Sequence, residues 1–104
     1  MNNQNITRQD IFNFIENNLD FMRVNFHISK IGIFGSFSRD EADENSDIDL
    51  IIEFDGKIDE IFETKEKIRE FFQNAFGREV DIVREKFLKP RASKRILDEV
   101  LYVS

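Results

Sequence analysis

The sequence predicts an α/β (α+β) domain in which helices pack on a small mixed sheet of three or slightly more strands. Segments with apolar residues at helical spacing alternate along the chain with short segments rich in β-branched residues. Hydrophobic residues make up 40% of the 104 residues and include twelve phenylalanines, so a core can form without cysteine or a structural metal. A chain of this length is expected to form one domain, residues 1–104.

The first predicted element is a helix. Thr7 and Asp10 have the spacing of a capping pair, although the usual Glu or Gln is replaced by Asp. Apolar residues then recur at helical spacing as far as Met22. The next segment, 27–34, is rich in isoleucine and stops at Gly35, which predicts the first strand.

The middle of the chain predicts a short helix and a buried strand. A brief helical turn is expected over residues 37–42. Segment 47–54 begins as an alternation of acidic and apolar residues and ends as a mostly apolar run, which is typical of a strand buried on both faces.

The C-terminal part predicts helix, strand and helix. Apolar residues recur at helical spacing from Ile61 to Phe76, and Gly77 is suited to end that helix. Within it, the side chains of Phe62, Phe72 and Phe76 are expected in the core. Segment 79–84 predicts a third strand. Pro90 opens a last helix, whose apolar stripe is Ile96, Leu97, Val100 and Leu101.

The charge of the chain limits its partners. A formal net charge of −6 argues against broad binding of nucleic acid, and the lack of cysteine excludes thiolate chemistry. No N-terminal signal and no run of about 18 apolar residues is found, so we expect a cytoplasmic protein without a membrane partner. One basic patch consists of Lys86, Lys89, Arg91, Lys94 and Arg95. It is either a solvated helix face or a surface that helps to bind nucleotide or an acidic partner.

The most informative motif is Gly35 and Ser36, followed by ten intervening residues and then by Asp47 and Asp49. Side chains two residues apart on a strand point to the same face, so the two carboxylates can converge. Such carboxylates repel each other unless divalent cations lie between them, and oxygen ligands favour Mg²⁺ or Mn²⁺. Glycine permits a tight turn, and backbone N–H groups at the start of the expected short helix can bind a triphosphate.

Asp81 and Arg39 are further candidates. Asp81 interrupts the apolar residues of the third predicted strand, and it can reach the same metals if that strand lies beside the second. Otherwise it is an ordinary exposed strand residue. Arg39, three residues after Ser36, either braces phosphate or a metal-bound carboxylate, or forms a structural ion pair with Asp43.

The stretch GSFSRDEADENSDIDLIIEF, residues 35–54, resembles the signature of the nucleotidyltransferase superfamily that includes DNA polymerase beta. It is most similar to the minimal nucleotidyltransferase (MNT) proteins that are paired with HEPN toxins. The resemblance is tight over residues 31–54, and Asp81 falls where that family has its third carboxylate. Residue 40 is Asp where the family usually has Gly.

The resemblance implies a polymerase-beta-like fold and transfer of AMP from ATP to a hydroxyl with two metal ions, Mg²⁺ or alternatively Mn²⁺. It implies that Asp47, Asp49 and Asp81 are the catalytic, metal-binding carboxylates. By the same resemblance, Gly35 and Ser36 hold the triphosphate.

The resemblance also implies a partner. The expected acceptor is a tyrosine of a HEPN-type toxin, which would make the protein an antitoxin and could place it in an oligomer with that partner. One alternative is an antitoxin that acts by occlusion without catalysis. The other is adenylylation of a small molecule such as an aminoglycoside with the help of a separate helical subunit.

Overall fold

The structure, a computed structural model, describes residues 6–56 and 58–103, with Ala92 and Ser93 described by their backbone alone. The helices are α1 (Arg8–Asn17), α2 (Leu19–Phe26), α3 (Ile61–Phe76) and α4 (Pro90–Glu99), with a 3₁₀ turn at Glu85–Phe87. The strands are β1 (Ile28–Phe34), β2 (Ile48–Phe54), β3 (Val80–Arg84) and β4 (Leu101–Tyr102). No helix in the described ranges is long and apolar enough to cross a membrane.

The strands of the described residues form one mixed sheet in the order β3-β2-β1-β4. β1 pairs antiparallel with β2 and with β4, whereas β2 and β3 are parallel. The parallel pair is possible because α3 carries the chain from the end of β2 back to the start of β3. The predicted mixed sheet with packed helices is therefore confirmed, with β4 as an additional edge strand.

The core lies on one face of this sheet. Alternate residues of β2 point into it, and α1, α2 and α3 cover it with one apolar stripe each. The largest fully buried side chains of the core include Ile11, Ile15, Met22, Ile31, Ile33, Leu50, Ile52 and Phe72. Ile51, on the opposite face of β2, is also fully buried, which confirms the prediction of a strand buried on both faces.

The predicted first helix is divided in two at Asn18. The N-terminal cap agrees with the sequence, since Thr7 and Asp10 form both bonds of a capping box. At Asn18 the backbone leaves the helical region (φ −115°, ψ 12°), and the side-chain amide donates to the carbonyl of Phe14 at 2.8 Å. A short amide side chain that bonds the preceding turn competes with the helix backbone, and α2 starts as a separate helix at Leu19.

The short helix expected over residues 37–42 is absent, because this segment forms irregular turns. Asp40 has a left-handed backbone (φ 62°), and the N–H of Glu41 bonds the carbonyl of Ser36. A left-handed residue cannot continue a right-handed helix, so the segment turns back after one bonded turn. Glycine adopts a left-handed backbone without strain, so Asp40 is strained at this position.

Two expectations for the C-terminal part were wrong. The last helix ends at Glu99 rather than continuing to Leu101, because Leu101 and Tyr102 pair with Ile33 and Gly32 as strand β4. Phe62 is 74% exposed, so it is not a core residue, although Phe72 is fully buried. Phe62 and Phe72 are ten residues apart, which places them about 80° apart around a helix of 3.6 residues per turn, so Phe62 lies beside the buried stripe and not in it.

Candidate active site

The site lies where β2 begins. Asp47 is exposed directly before the strand, and Asp49 is half-buried two residues later. Between them Ile48 is fully buried in the core on the other face. The alternation of the strand therefore fixes both carboxylates on the face away from α1, α2 and α3, as predicted.

β3 brings Asp81 to the same place. In the parallel pair Asp81 is the register partner of Asp49, and it is exposed. Paired residues on neighbouring strands share a face and are separated by about 5 Å between strands. The condition attached to Asp81, that the third strand lies beside the second, is confirmed by the register. Its role as a metal ligand stays a prediction.

Gly35 closes the site from the side of β1. Phe34 pairs with Asp49, so the chain leaves β1 directly beside the Asp49 carboxylate. Gly35 has a left-handed backbone (φ 78°), and a Cβ at this position would overlap Oδ2 of Asp49. Both the turn and the close approach therefore require glycine here.

The turn after Gly35 is held by its own hydrogen bonds. The carbonyl of Gly35 accepts from the Ser38 hydroxyl at 2.8 Å and from the backbone N–H of Arg39 at 3.2 Å. Arg8, at the start of α1, donates to the carbonyl of Ser38 at 2.8 Å. Ser36 is half-buried within this turn. The expected phosphate-binding turn is thus a fixed loop rather than the start of a helix.

Arg39 forms ion pairs with Glu41 and Glu99, and not with Asp43, which the sequence suggested as its partner. Its guanidinium donates to Glu41 at 3.0 Å and to Glu99 at 2.9 Å. Asp43 instead accepts from the backbone N–H of Asn45 and from the hydroxyl of Ser46. The structural ion pair between Arg39 and Asp43 was therefore a wrong alternative, because the segment is not helical.

Glu99 is a site residue that the sequence analysis missed. It ends α4, and its carboxylate accepts from the backbone N–H of Gly35 at 2.9 Å as well as from Arg39. Burial alone would raise the pKa of Glu99, but the hydrogen bonds from Arg39 and Gly35 hold it below its usual value. The apolar stripe of the last helix gave no signal for this acid, because its contacts are made to a segment some sixty residues away.

The electrostatics of the site are dominated by negative charge. Burial, followed by the charges of Asp81, Asp47 and Glu99, raises the pKa of Asp49 to about 6, while the charge of Arg39 opposes this shift. A half-buried carboxylate surrounded by other carboxylates lacks compensating positive charge, and a divalent cation with oxygen ligands would supply it. Across the described residues, however, no three His, Asp or Glu side chains are already arranged to hold a metal ion. The residue types fit a cation, while the exact ligand arrangement stays a prediction.

His27, the one histidine of the sequence, lies away from this cluster, next to the residue of β1 that pairs with Phe54 at the far end of β2. It ends α2 with a left-handed backbone, is exposed, and its carbonyl accepts from the N–H of Asp55 at 2.8 Å. The basic patch of the sequence is exposed where its side chains are described, and it too stands apart from the hydrogen bonds of the site.

Comparison with known proteins decides the family. The model of the nucleotidyltransferase domain matches residues 15–103. The chain belongs to the nucleotidyltransferase domain family. It is 33% identical over 98 residues to the protein adenylyltransferase MntA of Thermococcus cleftensis (strain DSM 27260 / KACC 17922 / CL1), a match that covers 94% of this chain and 97% of that protein. The sequence-based identification of a minimal nucleotidyltransferase, and hence of an enzyme, is confirmed.

Solved structures agree with this family. A protein described as a minimal nucleotidyltransferase superimposes with a TM-score of 0.74 at 26% identity, over 93% of this chain and 96% of that one. A chain from the complex of a tri-AMPylated HEPN toxin with an MNT antitoxin, from Shewanella oneidensis, has a TM-score of 0.60 at 17% identity, over 89% of this nucleotidyltransferase and 71% of that chain. The second likeness concerns the fold alone.

Proposed function

We propose that this nucleotidyltransferase transfers AMP from ATP to a protein hydroxyl, and that the acceptor is a tyrosine of a HEPN-type toxin which it thereby neutralises. The observation that carries the proposal is the register of Asp81 with Asp49 beside the Gly35 turn. The activity in the name of the Thermococcus relative and the AMPylated toxin in the Shewanella complex support the choice of acceptor.

In this proposal Asp47, Asp49 and Asp81 hold two divalent cations, with Mg²⁺ expected and Mn²⁺ able to replace it. When bound, such ions lower the pKa of the attacking hydroxyl and stabilise charge on the reacting phosphate. The three carboxylates orient the donor and the acceptor in line. The acceptor oxygen bonds to the α-phosphorus, the bond to the bridging oxygen breaks, and pyrophosphate leaves while the hydroxyl proton passes to water.

The turn at Gly35 and Ser36 is assigned to the triphosphate in the same proposal. Its backbone is fixed by Ser38 and Arg8, so N–H donors are held ready for anionic oxygens. Arg39 supplies positive charge at the edge of the site, where its side chain is 44% exposed and hydrogen bonded to Glu41 and Glu99. Because the donor is ATP, we expect the protein to work in the cytoplasm.

The partner supplies the acceptor. The negatively charged chain, with a formal charge of −6, is not suited to broad contact with nucleic acid, which fits a protein substrate better than a polynucleotide. A helical partner in an oligomer with this chain would provide the acceptor-binding surface.

The test is transfer of label from α-labelled ATP to a purified HEPN-type protein encoded beside this one. Wild type with Mg²⁺ should label the partner and abolish its toxicity, whereas the double variant Asp47→Asn with Asp49→Asn should not label it. Glu44→Gln, an exposed carboxylate in the same loop, is the matched control and should behave as wild type.

Two results would contradict the proposal. Neutralisation of the toxin by the double variant without label transfer would show that binding and occlusion are sufficient. Label on an aminoglycoside or another small molecule, with none on the partner protein, would show that the acceptor is wrong.

A further inference from the structure

The two donors assigned to phosphate are already bound by a side chain of the protein. Glu99 accepts from the backbone N–H of Gly35 through Oε2 at 2.9 Å and from Nη1 of Arg39 through Oε1 at 2.9 Å. The Glu99 side chain is 18% exposed, and its bond to the N–H of Gly35 is partly buried, whereas its ion pair with Arg39 lies at the surface. Both carboxylate oxygens are thus used as two oxygens of a phosphate would be.

We infer that Glu99 occupies the triphosphate position of the nucleotide-free enzyme and competes with ATP for the N–H of Gly35 and the guanidinium of Arg39. The inference rests on the proposed function, because it assumes that the Gly35 turn receives the triphosphate. One N–H group cannot donate a full hydrogen bond to the carboxylate and to a phosphate oxygen at the same time. Bound nucleotide and the observed position of Glu99 therefore exclude each other.

The charges explain why both states can exist. Without nucleotide, Glu99 satisfies a backbone donor and a guanidinium that would otherwise lose hydrogen bonds in a partly buried place. With nucleotide, Glu99 would add a negative charge beside the phosphates and beside Asp49, whose pKa it already raises. Repulsion then favours the rotation of Glu99 away from the turn.

The surroundings allow that rotation without a change of fold. Glu99 is the last residue of α4, and at Val100 the backbone is already extended (φ −69°, ψ 141°). A glutamate side chain has three rotatable bonds, so its carboxylate can leave the turn while α4 and β4 stay in place. The cost of leaving is the loss of two hydrogen bonds, one of them to a partly exposed cation.

The test is isothermal titration of ATP with Mg²⁺ into wild type, Glu99→Ala and Glu99→Gln. Removing the competitor should lower the Kd for ATP by about tenfold in Glu99→Ala, which corresponds to about 1.4 kcal/mol. Glu99→Gln keeps the shape of the side chain but lacks the charge, so it should give a smaller gain and serves where the alanine variant folds poorly. Asp98→Ala, an exposed carboxylate on the same helix, is the matched control and should not change the Kd.

Two further titrations identify the phosphate tail as the competitor. Adenosine, which has no phosphate, should bind wild type and Glu99→Ala with the same affinity, while inorganic tripolyphosphate should show the tenfold gain. Adding Arg39→Ala to Glu99→Ala should remove most of that gain, because Arg39 is one of the two released donors.

An unchanged or weaker affinity for ATP in both Glu99 variants would overturn the inference, and Glu99 would then be a support of the Gly35 turn. The proposed function fails in a different way. If wild type labels the partner but Glu99→Ala binds ATP no more tightly, only the inference on Glu99 is wrong. If neither wild type nor Glu99→Ala binds ATP, the proposed function and the inference are both wrong.

Discussion

Strands β2 and β3 carry carboxylates at both ends, but among the described residues only those at the far end are paired with cations of the protein. At the start of the strands, Asp47, Asp49 and Asp81 share one face, and burial with mutual repulsion raises the pKa of Asp49 to about 6. At their far end, Glu53 accepts from the guanidinium of Arg84 at 2.9 Å and from the backbone N–H of Lys86 at 2.8 Å.

The neighbouring acid at the far end is compensated in the same way. Glu85 forms an ion pair with Lys30 at 2.9 Å and accepts from the hydroxyl of Tyr102 at 2.7 Å. These hydrogen bonds, from Tyr102 first and then Lys30, lower the pKa of Glu85. Here the acids are matched by cations and donors of the protein itself.

The comparison separates structural from functional charge. Glu53 and Arg84 hold together the ends of neighbouring strands, and their charges are matched inside the fold. The carboxylates at the start of the strands are left with a deficit of positive charge, which costs stability and which, in the proposed function, a bound cation would neutralise. Four substitutions test this difference, and they follow in decreasing order of the free-energy change that we expect.

Asp81→Asn should reduce AMP transfer by about a thousandfold, or roughly 4 kcal/mol of transition-state stabilisation, because it removes one of the three carboxylates proposed to hold the cations. Thermal stability should not fall, since Asp81 is exposed and repels Asp49. Single-turnover transfer of label measures the rate. Glu85→Gln, at the compensated end, is the control and should keep the wild-type rate; a similar loss there would remove the contrast.

Arg84→Met should lower the free energy of unfolding by about 3 kcal/mol, because Glu53 is left largely buried without its cation. The Glu53 side chain is 18% exposed and that of Arg84 is 9% exposed. Urea unfolding measures the loss. The double variant Glu53→Gln with Arg84→Met leaves no buried charge and should recover most of it; equal instability of the single and double variants would show that packing against Phe54 and Phe87 matters more.

Asp49→Asn should stabilise the metal-free protein by about 1–2 kcal/mol at pH 8, less than the full shift implies because solvent screens this half-buried group. The pKa of Asp49 is about 6 in the folded protein and near 3.8 when unfolded. Between these values the folded state binds more protons, so the free energy of unfolding falls as pH rises, and the cost is complete above pH 6.

Urea unfolding in EDTA at pH 4 and pH 8 tests this prediction. The gain from Asp49→Asn should be present at pH 8 and nearly absent at pH 4, where the wild-type carboxyl is largely protonated. Asp43→Asn provides a control outside the cluster. A variant that is less stable than wild type at pH 8 would show that the Asp49 charge is already compensated in the folded protein.

Asp40→Gly should raise the free energy of unfolding by about 0.5 kcal/mol, because glycine adopts the observed φ of 62° without strain but loses more entropy on folding. Thermal melts are precise enough to detect it. Glu41→Gly, at the adjacent position without a positive φ, should instead destabilise the protein. Equal effects of both changes would argue against strain at Asp40.

The carboxylates of β2 and the Gly35 turn were predictable from sequence because their geometry is local. A strand alternates its side chains, so Asp47 and Asp49 share a face in any fold that keeps β2, and the glycine marks the end of β1. The position of Asp81 could be predicted only if β3 was assumed to lie beside β2. That parallel pairing depends on how α3 connects the two strands. Glu99 could not be found, because it approaches Gly35 through the packing of α4 against β1.

Most helices and strands, the family and the pair of aspartates on one strand face could be predicted from the sequence. Each of these features is encoded by residues that are close together in the chain. Only the assembled fold shows that Leu101 and Tyr102 pair with β1 instead of extending α4, and that residues 37–42 turn back at Asp40. It also brought the carboxylate of Glu99 onto the donors of the Gly35 turn. Contacts between distant segments depend on how the whole sheet assembles, and no local spacing encodes them.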